Sequence, residues 1–495
     1  MMKEKSSGVL MHISSLPSEY GIGTMGVEAR KFVDFLEAAG QSYWQMLPIC
    51  PTSYGDSPYQ SFSTYAGNLY FIDLDLLCEQ GLLFPEEYKE RDWGNDPKQV
   101  DYGKIYESRY PVLRKAAERF AEQIPESYET FCRNNAYWLD DYALFMALKW
   151  HFNQKSWQDW DEDIKFRTQK GMQKYKELLA DEIGFWKFVQ YEFDKQWKKL
   201  KEYANENNVD IIGDIPIYMG LDSSDVWADA GEFLLDENLT PVKVAGVPPD
   251  AFSELGQKWG NPLYDWNKME ANGFRWWRAR MAHSAELYDV IRIDHFIGIV
   301  KYYTIPADMP DARQGSYEQG PGQKLLDVIN EAIGDKKIIA EDLGVSLPEV
   351  DVILRENNYP SMKVLEFAFG GDRKNPHLPY NYSDNCVVYG GTHDNETLMG
   401  YFTGHNEWEL GYAFDYLDTR DRARMVDNVF RAAYSSVACL AIFTVQDILK
   451  LGNEARMNMP SSFGNNWKWR MRAGSLNNDR LNEMRYLASV FGRES

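Results

Sequence analysis

Cysteine is scarce in this sequence. Five occur in 495 residues, an odd number, widely spaced and with no CxxC pair. That excludes a zinc ribbon and a thioredoxin-type redox pair and leaves buried free thiols in a reducing compartment as the simplest expectation. Long apolar runs are missing too. The longest smooth one, residues 437–443, is far short of a membrane span. Residues 1–8 are polar, without the apolar core of a signal peptide, so a cytoplasmic location is expected. Positive charge is in deficit: 53 Lys and Arg stand against 75 Asp and Glu, a net −22. Neutralising a nucleic-acid backbone or docking on an anionic bilayer needs the opposite sign, so neither partner is expected. No low-complexity segment or short-period repeat occurs, and there is no HExxH.

Aromatic residues, by contrast, are abundant, with 16 Trp, 31 Tyr and 25 Phe. Most must be core, and a few are candidates to line a cleft. Apolar strand-like runs alternate with helix-like segments. Eight runs stand out, at 9–13, 43–49, 209–218, 290–296, 337–343, 362–369, 386–391 and 436–445. Several are continuously apolar, as in parallel strands covered on both faces. Helix-like partners follow at 27–39, 185–205, 274–288, 322–333, 347–357, 420–434 and 480–491. Eight β-then-α units predict an α/β fold of the (β/α)8 TIM-barrel type, one catalytic barrel over 1–495 with large, mostly helical insertions. The second and third runs are roughly 160 residues apart, and connections that long carry their own structure. Residues 50–208 therefore read as an inserted, mostly helical subdomain rich in Trp and Tyr. Residues 219–273 read as a second insertion, covering the mouth. Its stretch 246–262 holds so many Gly and Pro that neither helix nor strand is expected there. Gly21, Gly23 and Gly26 fit GxGxxG, but Ser14 to Tyr20 separate them from the strand and no acid closes the next strand. A glycine turn feeding the first barrel helix is the better reading.

The run ending Arg292-Ile-Asp294 puts Arg292 and Asp294 on one side of a strand, facing the barrel interior. A charge there needs a partner, and Arg292 would keep Asp294 ionised. The fifth run ends at Glu341 and Asp342, and the seventh at Thr392, His393, Asp394 and Asn395. Turn preferences alone place an Asp or Asn after many strands. Three such carboxylates with Arg292 and His393 beside them fit retaining glycoside chemistry, where one carboxylate attacks the anomeric carbon and a second carboxyl protonates the leaving oxygen. A metal site built from His12, His295, His393 and the acids is the sharp alternative. The first strand lacks the His-x-His of metal-dependent hydrolase barrels, and no metal or cofactor is expected.

The motifs GVLMHISSLP (Gly8 to Pro17), SYGDSPYQ (Ser53 to Gln60), GDIPIY (Gly213 to Tyr218), PPD ending at Asp250, GQKWGNP (Gly256 to Pro262), RIDHF (Arg292 to Phe296), AEDLG (Ala340 to Gly344), GTHDN (Gly391 to Asn395), RMN (Arg456 to Asn458) and NWKWR (Asn466 to Arg470) resemble those of the amylomaltases. These are the 4-α-glucanotransferases of glycoside hydrolase family 77, relatives of the α-amylase barrels, and the resemblance covers essentially the whole chain. It implies that Asp294 is the nucleophile, Glu341 the acid and base, and Asp394 the transition-state stabiliser. It implies further that Arg292 orients Asp294, that His393 bonds sugar hydroxyls, and that Tyr59 stacks on the reacting sugar. Asp214 would join the substrate-binding set, and Asp372 would hold a neighbouring donor sugar. Trp259, Phe252 and Asn466 would line the acceptor and donor groove, and Tyr54 would be part of a second glucan-binding surface that Tyr102 would join. Ala251 stands where some relatives carry an aromatic. The implied partners are maltodextrin, amylose or other α-1,4-glucan donors and acceptors, with glucose or maltose as acceptors. An α-glucan hydrolase and a non-catalytic glucan-binding barrel are the competing readings.

Overall fold

The computed structural model describes residues 5–494 except 54, 250–252, 345–346 and 463. Eight parallel strands form a nearly closed barrel: β1 (Ser6–Leu10), β2 (Tyr43–Gln45), β3 (Asp210–Pro216), β4 (Val290–Asp294), β5 (Lys337–Ala340), β6 (Ser361–Val364), β7 (Cys386–Tyr389) and β8 (Leu440–Thr444). Their order is β6-β7-β8-β1-β2-β3-β4-β5. Six lie inside the apolar runs, while β1 and β6 overlap theirs and begin three residues and one residue earlier, and the seven helix-like segments are helical. Most strands are shorter than their runs because the chain turns away early at the C-terminal ends. After Val364, for example, Leu365–Phe367 forms a 3-10 turn. β7 and β8 are buried throughout, as parallel strands sheathed by helices must be. No ladder joins β5 to β6. The Ala340 N–H donates to the Pro360 carbonyl at 3.3 Å across that seam.

Chain start and chain end meet in this barrel. β1 pairs with β8 from Ser6↔Leu440 to Leu10↔Thr444. Arg493, with no exposed surface, fastens the junction. Its guanidinium donates to the carbonyls of Ser6, Ala433, Tyr434, Ser436 and Ala438 at 2.7–3.5 Å. These carbonyls lie at helix and strand ends, where buried acceptors need donors.

Between β2 and β3 the chain forms helices that include Tyr102–Glu122, Ala136–His151 and Ala180–Glu206. Trp138, Trp157, Trp160, Trp186 and Trp197 are buried around them, and Trp150 is half-buried. The stretch expected to form neither helix nor strand is different from that expectation. Lys243–Val247 and Gln257–Pro262 pair antiparallel, and Lys301–Pro306 and Ser316–Gln319 complete a four-stranded sheet. This sheet draws on the connections after both β3 and β4. Its physical reason is a bulge between Val244 and Gly246, where an antiparallel ladder absorbs an irregularity that a parallel one would not. Gly246 is required there, since a Cβ would stand 2.2 Å from the Gln257 carbonyl oxygen. Punctuation by Gly and Pro thus excludes a long regular strand but not a bulged hairpin.

The GxGxxG segment is packing, not a cradle. It leads into the helix Val27–Ala38, and a Cβ on Gly23 would lie 1.8 Å from the Ile13 carbonyl oxygen, in backbone that cannot swing aside. Gly23→Ala is expected to destabilise the chain by about 3 kcal/mol through overpacking. A lowered unfolding midpoint in a denaturant titration checks this.

Candidate active site

Strand register assembles the centre. Asp214 on β3 stands beside Arg292 on β4, and Pro216 beside Asp294. Period-two alternation sends Asp214, Arg292 and Asp294 into the barrel. The Arg292 Nη1 donates to Asp214 Oδ1 at 2.7 Å, to Asp214 Oδ2 at 2.6 Å and to Asp294 Oδ1 at 3.0 Å. Side-chain exposure is 4% for Arg292 and 0% for Asp214, against 29% for Asp294. Burial works against a charged Arg292, and the Asp214 and Asp294 carboxylates overcome it, holding the guanidinium well above its ordinary value. Asp214 therefore differs from the expectation of a sugar-touching residue. With no exposed side-chain area it acts through Arg292 and through Tyr59, whose hydroxyl donates to Asp214 Oδ2 at 2.7 Å.

Glu341 follows β5 directly. Its amide donates to the Ile293 carbonyl at 3.1 Å and its carbonyl accepts from Phe296 N–H at 3.0 Å, which ties it to the strand that ends in Asp294. The carboxyl accepts from His295 N–H at 2.7 Å and from Leu343 N–H at 3.0 Å. Those donors favour the ionised form, but burial and the Asp294 charge outweigh them and push Glu341 up to about 8. His295 sits at positive φ, +51°, at the turn after Asp294. Burial lowers its imidazole to about 4, so it is neutral at pH 7.

Asp394 stands on the loop after β7, 45% exposed. Asn458 Nδ2 donates to its Oδ1 at 2.6 Å, and Arg456 Nη2 to its backbone carbonyl at 2.7 Å. His393 Nε2 lies 3.4 Å from Asp394 Oδ2. The His393 ring stacks on Tyr59 at 5.1 Å and 12°, and Trp467 tilts against both at 5.8 and 5.9 Å. One face of Tyr59 is thus covered by His393. Trp467 holds its place at φ +66°, with its N–H donating to Met457 O at 2.7 Å and its carbonyl accepting from Tyr102 Oη at 2.9 Å.

The structure brings Asp294, Glu341, Arg292, Asp214 and Tyr59 together, with His393 and Asp394 on the facing wall. Trp259, on the antiparallel sheet, meets the His295 ring edge-on at 4.9 Å and 88°. Asn466 is engaged within its own loop, accepting from Met459 N–H at 3.0 Å and donating to Ser462 O at 3.1 Å. Asp372 lies exposed on the turn after β6, where it accepts from Lys374 N–H at 2.9 Å. Tyr54 and Phe252, with Asp250 and Ala251, lie outside the described residues.

Sequence reasoning gave no role to Asn458, Trp467 or Glu366. The first two belong to motifs quoted above, where spacing carries no hint that they meet Asp394 and Tyr59. Glu366, just past β6, accepts from Asn395 Nδ2 at 3.3 Å, while its Oε2 has no hydrogen-bond partner among the described residues. Burial pushes it up to about 8. It is a second proton-bearing acid, set beneath the loop that carries Asp394. Behind His393, a cavity of about 20 Å³ is lined by His12, Thr392, Gln446, Arg456 and Trp469, among others, enough for a single water. Burial and the nearby His393 lower His12 to about 3, so that imidazole stays neutral.

A family model for the glycoside hydrolase family 77 4-alpha-glucanotransferases matches residues 11–477. The chain is 50% identical over 486 residues to a 4-alpha-glucanotransferase of Clostridium butyricum, covering 98% of this chain and 100% of the relative. It is 43% identical over 500 residues to that of Thermus thermophilus, covering 99% of each. An amylomaltase from Streptococcus agalactiae, solved in complex with acarbose, superimposes with a TM-score of 0.96 at 40% identity over 99% of this chain and 100% of that one. An amylomaltase from Corynebacterium glutamicum, 17% identical over 98% of this chain and 75% of its own, shares the fold with a TM-score of 0.80.

The raised value at Glu341 has a consequence for stability. The folded chain keeps that proton up to about pH 8, whereas an ordinary carboxyl releases it near 4.5. Between those values the folded state binds more protons, so stability falls as pH rises, by at most ~1.4 kcal/mol per pH unit. Glu341→Gln removes this loss. Its melting temperature minus that of the parent is expected to climb from pH 5 to 8 and flatten above, and a difference independent of pH would refute the assignment.

Proposed function

The chain belongs to glycoside hydrolase family 77, the 4-alpha-glucanotransferases, and from that premise we propose a retaining double displacement on α-1,4-linked glucans with the three carboxylates in distinct roles. Asp294 attacks the anomeric carbon of the donor while Glu341 gives its proton to the departing glycosidic oxygen. A glycosyl ester on Asp294 results. The 4-hydroxyl of an acceptor glucan then yields its proton to Glu341 and attacks the same carbon, Asp294 leaves, and the α-configuration is restored.

The observation that carries this reading is the convergence of Arg292, Asp294 and a Glu341 whose proton affinity is raised by burial and by Asp294. Arg292 holds one oxygen of Asp294, and the negative charge there helps keep the proton on Glu341. Asp394, pinned by Asn458 and backed by Arg456, stabilises the oxocarbenium-like transition state. Tyr59 and His393 seat the reacting sugar. Aromatic planes suit the C–H faces of glucose, and the imidazole suits its hydroxyls.

Transfer in place of hydrolysis requires the ester to outlast contact with water. The 219–273 insertion, whose Trp259 meets the His295 ring, serves as that shield and lines the acceptor side, and Phe252 belongs to the same groove. Asn466 shapes the loop that borders the groove, Asp372 binds a more distant donor sugar, and Tyr54 with Tyr102 forms a second glucan surface. Residues 50–208 are the other insertion on the same barrel. Maltodextrins and amylose serve as donors and acceptors, and glucose or maltose as acceptors. The complex of the S. agalactiae amylomaltase with acarbose supports a saccharide in this cleft. Among the described residues no helix is long and apolar enough to cross a membrane. Five free cysteines suit a reducing cytoplasm.

Incubation with maltotriose alone is the direct test. Glucose plus maltodextrins longer than maltotriose is the expected product set, while glucose and maltose alone would mean hydrolysis. Asp294→Asn is expected to lower turnover by at least ~10³-fold with binding of maltodextrin largely kept, since it removes the nucleophile and leaves the subsites. Near-parental turnover in that variant would overturn the nucleophile assignment.

A further inference from the structure

The loops after β6 and β7 carry aromatic side chains that the reaction above does not use. Trp408 is 87% exposed, the highest value for a large hydrophobic side chain among the described residues, and Tyr380 is 58% exposed. Trp408 lies immediately ahead of the short helix Gly411–Tyr416, its carbonyl accepting from Gly411 N–H at 3.3 Å. On that helix Tyr412 and Tyr416, four residues apart, stack at 6.2 Å and 30°. Tyr380 joins them from the β6 loop. Its ring is 6.3 Å from that of Tyr416, and its hydroxyl is 3.3 Å from the Tyr412 hydroxyl. The same Tyr380 hydroxyl donates to the Arg373 carbonyl at 3.1 Å, one residue from Asp372. Phe369 and Phe402 anchor the cluster from below, with Phe369 5.9 Å from Tyr416 and 6.2 Å from Phe402.

Single exposed aromatics are ordinary on protein surfaces. Here three Tyr rings from two separate loops meet, with Trp408 three residues ahead of the helix that bears two of them. Tyr412 and Tyr416 are half-buried against the core, whereas packing does not call for the exposed Trp408 and Tyr380. Both loops leave the C-terminal ends of barrel strands, the same rim from which Asp294, Glu341 and Asp394 project.

We propose that Trp408, Tyr380, Tyr412 and Tyr416 form a surface binding site for an α-1,4-glucan chain, lying on the barrel rim beyond Asp372. The inference rests on the glucanotransferase reading and extends it. Its ligand follows from position and chemistry. The patch is continuous with the loop that bears Asp372, and a polymeric substrate must leave the cleft across the rim. Aromatic planes match the apolar faces of successive glucose units, and the Tyr hydroxyls offer partners to theirs. The site holds long substrate near the cleft without touching the reacting bond.

Native gel electrophoresis through glycogen reads this directly. The parent is expected to be retarded, with Trp408→Ala and Tyr380→Ala each weakening the apparent Kd about three- to tenfold, the range expected for loss of one stacked ring. Trp408→Phe, which keeps a ring, is expected to stay near the parent. Turnover of maltotriose, too short to bridge rim and cleft, is expected to remain within twofold in all three. That readout also separates the two claims, because failure of the glucanotransferase reading would appear as absent maltotriose transfer in the parent. Parental retardation in a Trp408→Ala, Tyr380→Ala double variant would overturn the site. So would a patch that pairs two copies of the chain, seen as a loss of dimer mass by light scattering with retardation unchanged.

Discussion

One guanidinium organises the centre of this protein. Arg292 lies in the barrel interior, where isolated ions are costly, and it contacts two carboxylates at once. One guanidinium thus serves two carboxyl groups. Asp214 is sealed and takes two of the three hydrogen bonds, while Asp294 takes one and stays partly exposed. Asp294 is thus the partner of Arg292 that stays open to an arriving substrate. Across the β4–β5 boundary the Asp294 carboxylate, with burial, raises the proton affinity of Glu341, and Arg292 opposes that rise. A change at Arg292 would therefore be felt at both carboxyl groups.

The wall opposite is built by different means. Around Asp394 no comparable buried ion pair occurs among the described residues. Position comes instead from Asn458 and Arg456 and from the interlocked rings of Tyr59, His393 and Trp467. Tyr59 links the halves, its hydroxyl on Asp214 and its ring on His393. The rigid β3–β4–β5 side fixes charge, and the loop side fixes shape and hydrogen bonding, a division suited to a site that must admit one saccharide, release part of it and admit another.

Much of this was legible in the sequence. Eight apolar runs located eight strands, because parallel strands sheathed on both faces leave a nearly continuous apolar signature. Period-two alternation paired Arg292 with Asp294, since both lie on one strand. The larger partner of Arg292 was not legible, because Asp214 is 78 residues away and reaches it only through the β3–β4 register. Glu366 and Trp467 were silent for the same reason, as their meaning lies in contacts across loops. The antiparallel sheet was missed because its strands are short, bulged and interrupted by glycine, and two of them arise from another connection. The resemblance of motifs assigned roles to residues, while the structure supplied what physically connects them.

The junction of β1 with β8 has a consequence in time. A ribosome that has finished β1 must add some four hundred residues before β8 exists to pair with it, roughly 20 to 90 seconds at ordinary elongation rates. Until then the nascent chain carries an apolar edge with no neighbour on one side, and the Arg493 clamp emerges later still. Closure of the ring is consequently a late and concerted event. A stalled or truncated product would lose more than its final helix, because it would leave the first strand of the barrel open to pairing with the wrong chain.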